Sequence, residues 1–258
     1  MTTDLPADAI TTGLSDFDAL AGPIPRGRVT LAVGRSSAGT TAFVLSAARH
    51  NDEVGHQVAM ATFESGTDTI MSNLVAATTS VNIDRPLSIN AGRRARIERA
   101  RTAMDQSRLL MWSSQLKHGP WPFKELLAQL AARPGLDLVV MDGYGLASFK
   151  EPSEGATFTA LRHLARERNI AVLVTAYLTP RGDISETDIP TLAELSQLDG
   201  PVAQAETVVI LHRPDLEGTV PQRRGEVDLI TVRGWENTGS ATVRFEPEYH
   251  RFVDMANT

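Results

Sequence analysis

The segment Gly34-Arg-Ser-Ser-Ala-Gly-Thr-Thr41 has residue types that can close a backbone around phosphate groups. Its glycines, Gly34 and Gly39, allow backbone N–H groups to converge on phosphate oxygens. Thr41 supplies the hydroxyl that holds Mg²⁺ at the last position of such a loop. The preceding position needs a lysine to reach the β- and γ-phosphates, and here it holds Thr40. The spacing favours a phosphate-binding P-loop without its lysine over a plain strand-to-helix turn.

The missing lysine predicts a weakened nucleotide site. A charge-assisted contact contributes about 1.5–3 kcal/mol, so its loss should weaken nucleotide binding by roughly tenfold to a hundredfold. Hydrolysis should suffer more, because negative charge builds on the phosphates in the transition state. The residues predicted to bind the nucleotide are Gly34, Ser36, Ser37, Ala38, Gly39, Thr40 and Thr41.

Asp142 follows the apolar run 138–141 and is a candidate magnesium residue. A carboxylate at the end of such a strand orients Mg²⁺ together with the P-loop hydroxyl of Thr41. The alternative is an aspartate that only begins the turn at Gly143. The P-loop earlier in the chain favours the magnesium role.

Glu64 follows another apolar run, 58–63, and has two interpretations of equal weight. A carboxylate there could polarise the water that attacks a phosphate. It could equally stabilise the start of the predicted helix at Thr67 through the helix dipole.

Buried strands and amphipathic helices alternate through residue 175, which predicts a mainly parallel sheet covered on both faces. The predicted strands are 28–33, 57–63, 109–112, 136–141 and 170–175, and the predicted helices are 41–50, 67–79, 93–107, 123–133 and 157–168. After residue 180, polar alternation and short turns predict hairpin-connected strands at 208–211, 227–231 and 241–245. The fold class is therefore α/β, with antiparallel C-terminal strands, in a single domain over 1–258 whose first ten residues form a flexible tail.

Composition limits the possible function classes. The chain has 258 residues, no cysteine and a net charge of −6. The absence of cysteine excludes disulfides and thiol chemistry, and the acidic balance argues mildly against strong DNA binding by the chain alone. No apolar run approaches the roughly 20 residues of a membrane helix, and the polar, acidic start is unlike a secretory signal. We therefore expect a cytoplasmic protein without a membrane partner.

Three further groups of residues have a structural and a functional interpretation. The basic cluster Arg93, Arg94, Arg96, Arg99 and Arg101 favours a solvated helix face over a patch for an acidic partner or nucleic acid. Core or subunit contacts are favoured over a base-stacking platform for Trp112, Trp121 and Phe123. Trp235 could pack at an interface. The scattered histidines predict no metal site.

The motifs together resemble the C-terminal motor domain of the DnaB-type replicative DNA helicases. The stretch 34–43 is similar to the family's G-R-P-S-M-G-K-T-A-F, and 62–65 is similar to its S-L-E-M segment with the catalytic glutamate. The stretch 12–20 follows its T-G-x-x-x-L/F-D-x-L pattern, and 136–142 resembles its Walker B strand. The resemblance extends over nearly the whole chain. It implies a RecA-like P-loop NTPase fold and a ring-forming ATPase that acts on single-stranded DNA, with nucleotide at subunit interfaces.

Several positions depart from the family pattern, and they concern the same chemistry. Thr40 replaces the Walker A lysine, and Tyr177 stands where the family has the glutamine that senses the γ-phosphate. Of the late Lys-x-Arg finger only Arg233 remains, one position away, and Ser196 replaces an arginine. The predicted mobile loop 182–190, basic in the family, carries acidic residues and no Lys or Arg. Acidic groups beside DNA phosphates add repulsion.

These departures lead to two functional hypotheses. In the first, the chain is a degenerate DnaB-like P-loop protein related to DNA replication. It acts as a non-motor binding, assembly or regulatory module, binds ATP and Mg²⁺ weakly or not at all, binds single-stranded DNA poorly, and pairs with its own copies or with a helicase ring. In the second, it is an ATP-dependent helicase or translocase with a compensated lysine, in which Glu64 and Asp142 are catalytic and Thr41 and Asp142 hold Mg²⁺.

Overall fold

A computed structural model describes residues 6, 8–85, 90–113, 123–143, 154–179, 188–195, 198, 205–215, 220–233 and 236–255. The strands are β1 Val29–Gly34, β2 Val58–Thr62, β3 Leu110–Ser113, β4 Leu138–Asp142, β5 Ala171–Tyr177, β6 Thr207–His212, β7 Glu226–Arg233, β8 Glu236–Glu246 and β9 Arg251–Asp254. The helices are α1 Ser15–Ala21, α2 Thr40–Glu53, α3 Thr67–Thr79, α4 Ala91–Asp105, α5 Phe123–Ala131, α6 Glu154–Arg168 and α7 Leu192–Leu195.

The strands form one nine-stranded sheet in the order β3-β2-β4-β5-β1-β6-β7-β8-β9. All pairs from β3 to β6 are parallel, whereas β6 to β9 pair antiparallel. This arrangement confirms the predicted α/β class with antiparallel C-terminal strands. The carboxyl ends of β1, β2, β4 and β5 therefore meet at one edge of the sheet, where ligands bind in open α/β folds.

The central strands are buried on both faces, which explains their continuous apolar runs. In β4, Leu138 and Val140 belong to one core cluster, while Val139 and Met141 belong to the other. Helix α2 covers the first face and contributes Phe43. Helices α5 and α6 contribute to the second. The two cores fix the strand ends, and with them the loops that carry polar residues.

The folded chain begins earlier than the sequence predicts. Ile10 is 1% exposed and packs in the α2-side core, and its carbonyl oxygen accepts a hydrogen bond from the Ile24 N–H at 2.7 Å. The predicted tail over the first ten residues is therefore wrong at residue 10, because a single apolar side chain gives no periodic signal in a polar stretch.

Aromatic and basic residues follow their structural interpretations where the structure describes them. Trp112 packs against the core and donates a hydrogen bond from Nε1 to Gln129 at 3.0 Å, and Phe123 is buried. Trp121 and Trp235 lie outside the described residues. The basic cluster on α4 is exposed along its length. Within the described part of the chain, no helix has both the length and the hydropathy to cross a bilayer.

We expect Phe43→Ala to lower the free energy of unfolding by about 3–5 kcal/mol, since it removes a fully buried ring from the core. Phe43 is 0% exposed and meets Phe17 and Phe252 edge to face, with ring centroids 6.0 and 6.3 Å apart. Urea unfolding measures the change. Val54→Ala, at a position 58% exposed, is the control and should stay within about 0.5 kcal/mol of wild type. Equal values for the two variants would contradict the packing described here.

Candidate functional site

The loop between β1 and α2 winds too tightly for side chains at its glycines. Gly39 has φ +94°, and a Cβ there would lie 2.9 Å from the Phe252 ring. A Cβ on Gly34 would lie 2.9 Å from the Ala38 Cβ and 3.2 Å from the Leu211 carbonyl oxygen. Both glycines are therefore required by the local geometry, as a P-loop demands.

A cavity of about 370 Å³ opens beside this loop, a size within the range of ligand pockets. Of the seven predicted nucleotide-binding residues, Ser37, Gly39, Thr40 and Thr41 line it. The other three do not: Gly34 and Ala38 are buried beneath the loop, and Ser36 is exposed outside it. The cavity also includes Tyr177, Arg213 and His250.

Asp142 lies directly beside Thr41, at the end of β4. Its carboxylate accepts a hydrogen bond from Thr41 Oγ1, at 3.0 and 3.2 Å from its two oxygens, and another from Thr175 Oγ1 at 3.0 Å. Thr175 in turn accepts from the Gly143 N–H at 2.8 Å. Carboxylate and hydroxyl oxygens are the hard ligands that Mg²⁺ prefers. The two residues predicted to hold the ion, Thr41 and Asp142, therefore have the chemistry to do so.

Burial controls the charge of Asp142. It raises the pKa of this carboxyl to about 6, although the hydroxyl hydrogen bonds from Thr41 and Thr175 oppose the shift. The nearby Glu64 raises the pKa further. A divalent cation beside Asp142 would offset this penalty, because its charge favours the ionised carboxylate.

Glu64 and Tyr177 form a hydrogen bond across the mouth of the site. The Tyr177 hydroxyl donates to Glu64 Oε2 at 2.5 Å, and Thr40 and Thr41 line the same cavity as the phenol. Burial and the Glu64 contact raise the pKa of Tyr177 to about 12, so it stays a neutral donor. Gly66 is the N-cap residue of α3, two positions after Glu64. The hydrogen bond thus connects Tyr177, at the predicted sensor position, with Glu64, at the predicted catalytic position.

The described cations near the loop are Arg35 and Arg213, and they have different surroundings. Arg35 is 2% exposed; its Nη2 lies 2.9 Å from Glu194 Oε1 in a close ion pair without hydrogen-bond geometry, and its Nε donates to the Asp188 carbonyl at 3.3 Å. It points away from the phosphate cavity, toward the α7 segment. Arg35 is therefore not placed to replace the missing lysine.

Arg213 lines the cavity, and the sequence reasoning gave it no role. Its Nη1 donates to the Ser37 carbonyl at 3.3 Å, and its Nε pairs with Asp215 at 2.7 Å. The guanidinium lies 5.5 Å from the centroid of the Phe245 ring. The position of Arg213 could have indicated a place at the site. It directly follows β6, and β6 pairs with the P-loop strand β1.

The predicted finger residue, Arg233, lies at the opposite edge of the sheet from its own P-loop. It ends β7, which runs antiparallel to β6, and its backbone pairs with Glu236. The Arg233 backbone therefore lies away from the P-loop of its own chain. Its side chain, Ser196 and most of the acidic loop 182–190 lie outside the described residues.

Comparisons with known proteins agree with this geometry. The family model for the DnaB-like helicase C-terminal domain matches residues 9–254. Over 266 aligned residues the chain is 26% identical to the replicative DNA helicase DnaB of Leifsonia xyli subsp. xyli (strain CTCB07), covering 96% of this chain and 56% of that protein. It is 27% identical over 135 residues to DnaB of Mycobacterium leprae (strain TN), covering 50% of this chain and 22% of that protein. The chain thus spans about half or less of these relatives.

Solved structures share the fold at low sequence identity. A solved ATPase domain superposes with a TM-score of 0.83 at 19% identity, covering 98% of this chain and 93% of that one. A DnaB-like replicative helicase described with its interactions with primase gives 0.81 at 19% identity, covering 95% and 62%. The RadB recombinase gives 0.60 at 18% identity, covering 95% and 99%. These likenesses show a RecA-like ATPase fold.

The raised pKa of Asp142 predicts a pH dependence of stability. Because the folded carboxyl holds its proton more tightly than the unfolded one, the contribution of Asp142 to stability is greatest below pH 4 and is lost as the pH rises through about 6. A rise of the Asp142 pKa from 3.8 to about 6 corresponds to a loss of about 3 kcal/mol in the free energy of unfolding. Asp142→Asn should lack this loss. Urea unfolding of both proteins at pH 4, 5, 6 and 7, without Mg²⁺, measures it.

Asp137→Asn is the matched control, since this carboxyl shifts in the opposite direction. Burial raises the pKa of Asp137, but hydrogen bonds from the Gln57 N–H and Arg26 outweigh it, so the pKa is lowered overall. Its contribution is therefore lost as the pH falls. The test compares the free energies of unfolding of wild type and Asp142→Asn. If their difference stayed constant from pH 4 to 7, burial would not govern the charge of Asp142.

Proposed function

Since the chain belongs to the family of DnaB-like helicase C-terminal domains, we propose that it is a degenerate member without motor activity. In this proposal it acts as a binding, assembly or regulatory module in DNA replication. One observation carries it: the lysine position holds Thr40, an uncharged side chain that lines the same cavity as Tyr177 of the Tyr177–Glu64 network.

The network lowers both nucleotide affinity and catalysis. Thr40 is buried and brings no positive charge toward the β- and γ-phosphates. Glu64 accepts a short hydrogen bond from the phenol of Tyr177, and a carboxylate so engaged is a weaker base for an attacking water. Both effects weaken the stabilisation of the transition state of ATP hydrolysis, and they leave the fold in place.

The retained fold supports an assembly role. The two cores and the sheet edge that hold the P-loop are intact, whereas the catalytic charge is missing. The relatives are replicative helicases, and one related structure is described with its interactions with primase. We infer that the chain associates with its own copies or with the ring of a DnaB-type helicase. The acidic residues of 182–190 weaken any contact with single-stranded DNA.

The second candidate is an ATP-dependent translocase in which Arg213 replaces the lysine. The observation that favours it is the placement of this guanidinium on the cavity wall, at the Ser37 carbonyl. In this case Glu64 would have to exchange Tyr177 for a water before hydrolysis. Asp215 already neutralises part of the Arg213 charge, so we give this candidate second place.

Calorimetric titration with Mg·ATP tests the leading proposal. We expect wild type to bind ATP weakly and Thr40→Lys to bind it about tenfold to a hundredfold more tightly, because the new ammonium adds a charge-assisted contact. Thr102→Lys, an exposed change on α4, adds the same charge elsewhere and should leave the affinity unchanged. Micromolar binding by wild type with steady, DNA-stimulated hydrolysis would overturn the proposal. If Arg213→Gln and Glu64→Gln each abolished that hydrolysis, the translocase would be correct.

Association with a helicase ring is tested separately. We expect the chain to co-elute with a full-length DnaB-type helicase in size-exclusion chromatography, or to form an oligomer of its own, and to lower the unwinding rate of the ring it joins. A subunit that cannot hydrolyse ATP removes one active site from the ring it joins, so the rate should fall with the fraction of chain added. A monomer that neither co-elutes with nor inhibits the helicase would contradict the assembly role.

A further inference from the structure

A second cavity, of about 490 Å³, lies at the amino edge of the parallel strands. Arg26 and Arg28 reach it from the turn before β1, and Arg162 and Arg166 reach it from α6. The six residues of β1 separate this edge from the P-loop, a distance of about 20 Å. The cavity is therefore distinct from the nucleotide site, and the proposed function does not use it.

Two of these four arginines are already paired. Arg26 Nη2 lies 2.8 Å from Asp137, with a hydrogen bond, and Arg162 lies 3.9 Å from Glu206. Glu206 also accepts a hydrogen bond from the Val29 N–H at 3.4 Å, so its carboxylate is engaged with the wall. Asp137 and Glu206 therefore offset part of the positive charge of these two arginines.

The other two arginines carry uncompensated charge. Neither Arg28 nor Arg166 has an ion-pair partner among the residues that the structure describes. They come from different elements and face one cavity, so their charges add there. This is a local basic site in a chain whose net charge is −6, and the N–H donors of both guanidinium groups are available to an added anion.

We propose that this cavity binds a small anion with adjacent phosphoryl groups, either free polyphosphate or the phosphates of a nucleotide. A guanidinium binds phosphate oxygens in a bidentate fork, and linked phosphoryl groups can reach Arg28 and Arg166 together. The cavity has the size of a small-molecule pocket, which favours a compact ligand over a strand of nucleic acid. Its place beside the starts of β1 and β6 puts the ligand against the same strand that carries the P-loop.

Calorimetry with tripolyphosphate tests the site. The double variant Arg28→Gln/Arg166→Gln should lower the affinity at least tenfold, since both unpaired charges are removed. Arg96→Gln/Arg99→Gln, on the exposed face of α4, removes the same charge and should bind like wild type. Both arginines of the site are exposed, so the variants should fold, and circular dichroism checks this.

Each outcome decides the proposal. Equal affinity in wild type and both variants would place the anion at the P-loop and overturn the site, as would no binding by wild type at millimolar concentration. A parallel titration with ADP separates the two sources: a loss of ADP affinity in the Arg28/Arg166 variant alone assigns nucleotides, while a loss confined to tripolyphosphate assigns free polyphosphate. The Thr40→Lys result is independent of both, because that change lies at the other edge of the sheet.

Discussion

The hydrogen bonds around the buried Asp142 are the constraint on which the site depends. A carboxylate with 0% exposure is costly unless its oxygens are satisfied, and here Thr41 and Thr175 donate to it from two other elements. These bonds tie the P-loop to β4 and β5, while the parallel sheet brings the ends of those strands together. The position of the loop is thus set by a polar contact, and the two apolar cores hold that contact in place.

The changes at the carboxyl edge form one consistent set. With a lysine at position 40, an ammonium would lie among Glu64, Asp142 and the phosphates, and its charge would balance them. With Thr40 no ammonium is present, and the neutral phenol of Tyr177 donates to Glu64 instead. The replacement at one position therefore makes physical sense of the replacement at the other, which supports a common loss of motor chemistry.

The sequence predicted the fold where burial dominates and missed contacts made between distant segments. The apolar runs of β4 and β5 could be read directly, because both faces of these strands are covered. The Tyr177–Glu64 bond could not, since it joins residues 113 positions apart whose side chains give no pattern along the chain. Strand β8 was predicted only over 241–245 but covers Glu236–Glu246. Its first residues, with Asn237 and Gly239, are poor strand formers and are ordered by their ladder with β7.

Stability and catalysis rest on different residues in this fold, and under the proposed function that separation lets the domain keep its structure without motor activity. The cores, the glycines of the loop and the Asp142 hydrogen bonds all act within the folded chain and need no lysine. A lysine at position 40 would lie beside a buried wall, where desolvation opposes its charge unless phosphates are bound. In the proposed function, its replacement by Thr40 removes motor activity at little cost in folding free energy. Selection on assembly alone would then keep the sheet, the loop and the strand ends, which are the features that this chain retains.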